Sequence, residues 1–313
     1  MEIEDIVSKI TTEYEKSKIE DSSAEGIERL MEKAKAYDGE YKLIWSDEIV
    51  ENLKTKPKAE GHKTGIKELD ELTGGFRQEQ VVTMFAHTKH GKTEVSMWLT
   101  SLFPELAPVV IPLEQNAEEV ISQRIERGYK IPKFLSPENQ ETFVDTSWIE
   151  KRVIEGIAKY NTKMVVIDHL GYIDNNGEKG KYKRENLAYR IGMVMKELKG
   201  IAKRWDVLVL LLVHVSEGDE GKPPSLQDIG NSSDIKKESD TVIGIWRKNF
   251  KKKKVRIYEN KTMLSVLANR RFGKNGSVGL GFDTDEGIYF ADHEWVKHME
   301  DMAKMAGDDD DDF

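Results

Sequence analysis

Residues 81–93 read Val81-Val82-Thr83-Met84-Phe85-Ala86-His87-Thr88-Lys89-His90-Gly91-Lys92-Thr93. A short, mostly apolar run enters a loop that closes on Gly91-Lys92-Thr93, and residues 94–102 continue with a helical pattern. Strand, loop and helix in that order make a phosphate-binding device, because loop N–H groups and a helix N-terminus converge on an anion. In such a loop Lys92 reaches the β- and γ-phosphates and Thr93 ligates Mg²⁺, so ATP or another NTP with Mg²⁺ is expected. The loop opens on Ala86, where glycine is usual.

Outward from the loop, apolar runs alternate with helical patterns between about residues 62 and 292: 81–85, 109–111, 164–167, 207–213, 241–246 and 263–267. Nearly continuous apolar strands separated by helices predict an α/β domain with a mainly parallel central sheet covered on both faces. Three regions are expected: an N-terminal helical segment and linker over 1–60, the main domain over 61–292, and a C-terminal helix and acidic tail over 293–313. Apolar stripes at Ile3, Ile6, Val7 and Ile10 and at Ile27, Leu30, Met31 and Ala34 suggest two amphipathic helices, the second opened by a Ser22/Glu25 capping box. The polar, proline-containing segment 54–61 reads as the linker.

The 313 residues carry 48 Lys and Arg against 57 Asp and Glu, a net charge of -9 that by itself argues against a nucleic-acid partner. The distribution qualifies the sum, because 308–312 is a run of aspartates while Arg247, Lys248 and 251–254 form a basic cluster. With no cysteine there are no disulfides or thiolate metal sites. The longest apolar run, 207–213, is far short of a membrane span, and the acidic N-terminus is unlike a signal peptide. A cytoplasmic protein with no membrane contact is expected.

A nucleotide site needs a second acidic group, and the run 164–167 ends on Asp168, placed to hold Mg²⁺ mostly through water. Hydrolysis also needs a carboxylate to orient and deprotonate water. Glu114 follows the strand run at 109–111 and precedes a helical stretch at 117–125, which puts it at the carboxyl edge of the sheet; an N-capping or solvated glutamate would look the same.

In these residues the chain resembles the DnaB-like replicative helicases, RecA-like P-loop NTPases, and most of all the helicase half of phage primase-helicases. The resemblance runs in order through Thr64-Gly65-Ile66-Lys67-Glu68-Leu69-Asp70, the phosphate loop, Leu113-Glu114, Ile167-Asp168-His169, Leu198-Lys199-Gly200-Ile201-Ala202-Lys203, Val213-His214, Ser239-Asp240 and Arg271-Phe272, about three-quarters of the chain. It implies an ATP-dependent helicase translocating on single-stranded DNA as a ring, by expectation hexameric. It also implies Glu114 as catalytic carboxylate, His214 as γ-phosphate sensor and Arg271 as an arginine finger inserted into the neighbouring subunit's site. Arg247 and Phe282 resemble the pair that sandwiches the base, although Phe282 suits core packing as well.

DNA contacts implied by the resemblance fall on residues 175–183, with Lys179, Lys181 and Lys183, and on 223–233, with Gly230, Asn231 and Ser232; two surface loops are the plainer reading. Acidic residues at 217–220 and Asn269 replace basic ones common in the family. With no primase region in the sequence, a separate primase is expected. The acidic run followed by Phe313 resembles tails that contact a DNA polymerase or another replisome protein, against the simpler reading of a solubilising terminus. A RecA-type recombinase or recombination-mediator ATPase is the alternative function.

Overall fold

The computed structural model describes residues 32–33, 35–36, 43–55, 60–139, 144–173, 187–215, 219–229, 233–253, 255–295 and 297. The chain divides into two compact units, Met1–Ala59 and Glu60–Phe313. In the first, helix α1 (Ser46–Thr55) buries none of its residues and leaves Trp45, Ile49, Val50 and Leu53 exposed. Lys54 and Thr55, expected in the linker, belong to α1. The expected stripes at Ile3–Ile10 and Ile27–Ala34 and the Ser22/Glu25 box lie outside the described residues.

The second unit opens with α2 (Lys67–Thr73), and Asp70 explains the motif before it. Its carboxylate accepts from Thr64 N and Oγ1 at 2.8 and 2.9 Å and from Gly65 N at 3.1 Å, which turns the chain into the helix. α2 ends on Gly74 in the left-handed region, φ 69°. The remaining elements run β1 (Val81–Ala86), α3 (Lys92–Leu102), β2 (Val109–Pro112), α4 (Ala117–Glu126), α5 (Thr146–Tyr160), β3 (Met164–Asp168), α6 (Leu187–Arg204), β4 (Leu208–His214), α7 (Ser233–Glu238), β5 (Thr241–Lys252), β6 (Val255–Asn269), β7 (Gly276–Asp283) and β8 (Ile288–Ala291).

The eight strands form one sheet in the order β2-β3-β4-β1-β5-β6-β7-β8. The first five positions are parallel, and β6, β7 and β8 extend the sheet antiparallel. Side chains alternate between two cores: Leu208, Leu210 and Leu212 of β4 face α2 and α3, while Val209, Leu211 and Val213 face α5 and α6. This is why the parallel strands read as unbroken apolar runs. Strands β5 and β6 extend well beyond their apolar segments, because cross-strand pairing continues where burial stops. β7 and β8, which the apolar runs do not mark, are one glycine-rich and one short.

Polar ties fix the strand ends that the site depends on. Asp240 accepts from Val81 N at 2.7 Å and from Lys199 Nζ, and Lys199 also reaches Glu79 O at 3.0 Å. The start of β1 is thereby held to α6 and to the entry of β5. On the other face, buried Arg124 of α4 binds Glu94 of α3, Lys130 O and Gly287 O. The helix after the phosphate loop is thus locked to the helix after Glu114. Trp295, in the expected C-terminal helix, stacks on Trp246 at 6.3 Å; His293, Glu294 and Trp295 are helical.

Arg124→Met is expected to lower unfolding stability by about 3 kcal/mol, since it leaves two carbonyls and a carboxylate without their buried donor. Arg127→Met, which removes only an outer ion pair to Glu94, should cost less than ~1 kcal/mol. Urea denaturation of both variants checks the contrast.

Candidate nucleotide site at the sheet edge

β1 carries the chain to the carboxyl edge of the sheet, where Ala86 pairs in register with His214 of β4. Ala86 is buried as the last residue of the strand, so its methyl group packs in the core and the turn begins one residue later. Lys89 (φ 69°) and Gly91 (φ 82°) both adopt the left-handed region, a combination that turns successive N–H groups inward. α3 then starts at Lys92 with no side chain capping its first turn. An anion seated there meets the positive end of the helix.

Around Lys92 the expected residues converge. Lys92 Nζ lies 2.9 Å from both ring nitrogens of His214, whose Nε2 is 2.9 Å from Glu114 Oε2. Nε2–H therefore donates to Glu114, and Nδ1 accepts from the ammonium. Thr93 Oγ1 donates to Asp168 Oδ2 at 2.9 Å. Glu114 N donates to Asp168 O at 3.1 Å, so the ends of β2 and β3 are joined beyond their last paired residues.

Burial governs the charges. It pushes Lys92 down to about 8, against the opposing pull of Asp168 and Glu114, and pushes the Asp168 carboxyl up against Lys92 and the Thr93 hydroxyl. For Glu114 burial also acts upward, but the His214 hydrogen bond and the electrostatic pull of His214, His169 and Lys92 prevail and hold it below the ordinary carboxylate value. Asp168 Oδ1 is buried without a hydrogen-bond partner. An orphaned carboxylate oxygen beside a hydroxyl is a hard oxygen donor set, and it fits Mg²⁺.

His169, which stands in the Ile167-Asp168-His169 motif without a role expected of it, is a part of this site. Its ring meets that of His214 at 4.1 Å between centroids, and its Nε2 is 3.7 Å from Glu114 Oε2. Glu114, His169 and His214 are spaced closely enough to hold a metal. The hydrogen bonding argues otherwise: Gly171 N–H donates to His169 Nδ1 at 3.0 Å, which leaves the proton on Nε2 and no lone pair facing inward. Burial moves the His169 pKa down to about 4, so the ring is a neutral donor beside Glu114. Only its position directly after Asp168 could have signalled it.

Other expected residues sit elsewhere. Arg271 follows Asn269, which pairs with Thr241 at the start of β5, so it lies at the amino-terminal edge of the parallel strands, opposite the phosphate loop. It is exposed, with its guanidinium 5.7 Å from the Phe272 ring centre. Asn269 shapes that turn: Oδ1 accepts from Arg271 N and Phe272 N, and Nδ2 donates to Leu72 O. Arg247 on β5 donates to Glu259 O and Asn260 Oδ1, and its own N–H donates to His90 Nδ1 at 3.0 Å. Phe282 on β7 packs against Tyr129 and Tyr289. β6 lies between the strands that carry Arg247 and Phe282. His87 and His90 of the loop are buried, each with Nε2 unpartnered among the described residues, and burial pushes His90 down to about 4. Lys179, Lys181, Lys183, Gly230, Asn231, Ser232 and the tail ending in Phe313 lie outside the described residues. Among the described residues no helix is long and apolar enough to cross a membrane.

Residues 113–290 match the family model described as DnaB-like helicase C terminal domain. The replicative DNA helicase DnaC of Bacillus subtilis is 25% identical over 254 residues, covering 71% of this chain and 54% of that protein. The replicative DNA helicase DnaB of Geobacillus stearothermophilus is 25% identical over 256 residues, with the same coverage of 71% and 54%. The chain thus spans about half the length of the curated relatives it matches. Among solved structures, an isolated ATPase domain superposes with TM-score 0.62 at 18% identity, covering 79% of this chain and 97% of that one. A DnaB-like replicative helicase, described with its interactions with primase, gives TM-score 0.61 at 17% identity, covering 91% of this chain and 75% of that one.

Because the folded state holds the Glu114 pKa below its unfolded value, the carboxylate stabilises the fold above the unfolded pKa, and that contribution disappears as pH falls through the folded pKa. Glu114→Gln is therefore expected to be slightly less stable than the parent at pH 7, by ~1 kcal/mol or less for a solvent-screened pair, and equal to it under acid conditions. Calorimetric melting across roughly pH 3–7, a window set by the carboxylate range, tests this.

Proposed function

The chain belongs to the DnaB-like helicase C-terminal domain family, and on that premise we propose that it is the ATP-driven motor of a ring-shaped replicative DNA helicase. One observation carries the reading. Lys92, Thr93, Asp168, Glu114 and His214 meet at one sheet edge, whereas Arg271 stands at the other. β1 alone separates the two edges by ~15 Å or more, so no chain can use its own Arg271 at its own phosphate loop. Subunits packed head to tail bring opposite edges together, and a closing rotation makes a ring, here a hexamer.

In this mechanism the loop N–H groups and Lys92 hold the phosphates of ATP or another NTP. Thr93 and Asp168 would hold Mg²⁺, which would supply positive charge against that building on the phosphate oxygens. Glu114, kept ionised by His214, orients the attacking water and accepts its proton. His214 bridges Lys92 and Glu114, so loss of the γ-phosphate contact alters both, and the 223–233 segment follows His214 along the chain. Arg271 from the neighbouring subunit stabilises charge on the transferring group. Arg247 and Phe282 flank the base from β5 and β7.

Single-stranded DNA is proposed to run past Lys179, Lys181, Lys183, Gly230, Asn231 and Ser232, held by its backbone without reading sequence. Working in the cytoplasm, the motor would act with a primase and would meet a polymerase or another replisome component through 308–313.

Lys92→Ala and Glu114→Gln should each lower the ATPase rate by about 100-fold or more, with nucleotide affinity lost only in Lys92→Ala. Filter binding with labelled ATP beside a phosphate-release assay separates them, and a parental rate in Glu114→Gln contradicts the assignment. Arg271→Ala should lower the rate by about 1,000-fold or more. Titrating Arg271→Ala subunits into Lys92→Ala subunits restores part of the activity if the finger acts in trans; no recovery in demonstrably mixed rings contradicts it.

A further inference from the structure

The basic cluster of the sequence falls where the sheet narrows to two strands. β1 pairs with β5 only as far as Gly244, and β7 pairs with β6 only from Lys261 onward. β5 and β6 continue together through Asn249↔Tyr258, Phe250↔Ile257, Lys251↔Arg256 and Lys252↔Val255, closing on Lys253 in the left-handed region at φ 58°. Residues 248–253 and 255–258 thus project past the carboxyl edge as an arm beside the phosphate loop.

The arm sorts its side chains by strand alternation. Phe250, Ile257, Lys252 and Val255 share one face, and Phe250, Ile257 and Val255 are 47%, 37% and 64% exposed. Two cations of the arm are neutralised, Lys248 at its root by Glu259 at 3.4 Å and Arg256, opposite Lys251, by Glu220 at 3.0 Å. Lys251, Lys252 and Lys253 at the tip are exposed and have no acidic partner among the described residues. Lysines alone would suit an edge guarded against strand pairing. Such a guard does not explain an exposed aromatic ring and two aliphatic side chains on the face that carries Lys252. Uncompensated ammonium groups around an exposed ring, on a chain of net charge -9, match a polyanion that also offers flat apolar faces.

The arm is also joined to the nucleotide site. At its root Arg247 N donates to His90 Nδ1 of the phosphate loop, and the Tyr258 ring meets His90 edge-on at 5.4 Å. Arg247 lies over the other side of the contact, 5.8 Å from the Tyr258 ring centre.

We propose that the β5–β6 arm is a contact for single-stranded DNA additional to the two loops assigned above, with Lys251, Lys252 and Lys253 on the phosphate backbone and Phe250 stacked on a base. This rests on the helicase reading. The arm lies beside the nucleotide rather than on the loop after Asp168 or the loop after His214, so it holds a stretch of strand outside the one those loops carry.

The test compares the full chain with the triple variant K251A/K252A/K253A and with Phe250→Ala, using a fluorescent oligothymidylate titrated over a range of salt, with oligomer size followed by light scattering. The triple variant should bind more weakly and lose roughly two units of the log–log salt slope, as expected for three lost contacts to a single strand. Phe250→Ala should bind about tenfold more weakly at an unchanged slope. DNA-independent ATPase should stay at the parental rate in both. Parental affinity and slope in the variants would overturn the arm while leaving the helicase reading intact. A fall in oligomer size with unchanged affinity in the assembled fraction would make the arm a contact between copies and would also overturn it. A parent that binds no oligothymidylate at any salt would sink both readings.

Discussion

The parallel register at the centre of the sheet is the constraint from which the site follows. Ala86 is paired with His214, and Asp168 with both Pro112 and Leu212, so four chain segments must leave the sheet at the same edge. Each segment exits with a chemically different end: a phosphate loop, a glutamate two residues past β2, an aspartate and a histidine. A slip of one residue in any of these pairings would turn the inward side chain to the other face. The ties of Asp240 to Val81 and Lys199, and of Thr83 to Ser239 at 2.7 Å, hold the register from the opposite end of β1.

The same register limits what one chain can do. Strands that deliver Lys92, Asp168 and Glu114 to one edge leave the β6–β7 turn with Arg271 at the other. Asn269 commits its side-chain oxygen and nitrogen to shaping that turn, and Arg77 and Arg271 both lie near the Phe272 ring, at 5.6 and 5.7 Å. The Arg271 guanidinium is therefore exposed on a hydrogen-bonded turn away from its own chain's phosphate loop. Buried Lys92, lowered to about 8 and lying against His214, is conversely short of a strong anion partner, a need that a nucleotide's phosphates meet.

Local features make much of this readable in the sequence. The phosphate loop is recognisable because strand, loop and helix follow one another, and Asp168 because it ends a buried apolar run. Glu114 is visible only as an acid at a strand end; its link to His214 joins residues a hundred positions apart and has no local trace. The role of His169 is hidden for the same reason, since it depends on a Gly171 N–H that fixes the proton on the far nitrogen. Arg124 looks like a solvated helix charge in the sequence and is instead a buried clasp. The outer halves of β5 and β6 look like loop because their residues are charged, and cross-strand hydrogen bonding rather than burial keeps them extended.

The central claim is that a working nucleotide site is completed by a second copy of the chain. Cryo-electron microscopy of the full chain with a non-hydrolysable ATP analogue, Mg²⁺ and single-stranded DNA measures this directly. The account predicts a closed ring in which the Arg271 guanidinium of one subunit lies at hydrogen-bond distance, about 3 Å, from the terminal phosphate held by Lys92 and Thr93 of the next. Rings or filaments in which Arg271 faces solvent at every nucleotide-filled interface would contradict it.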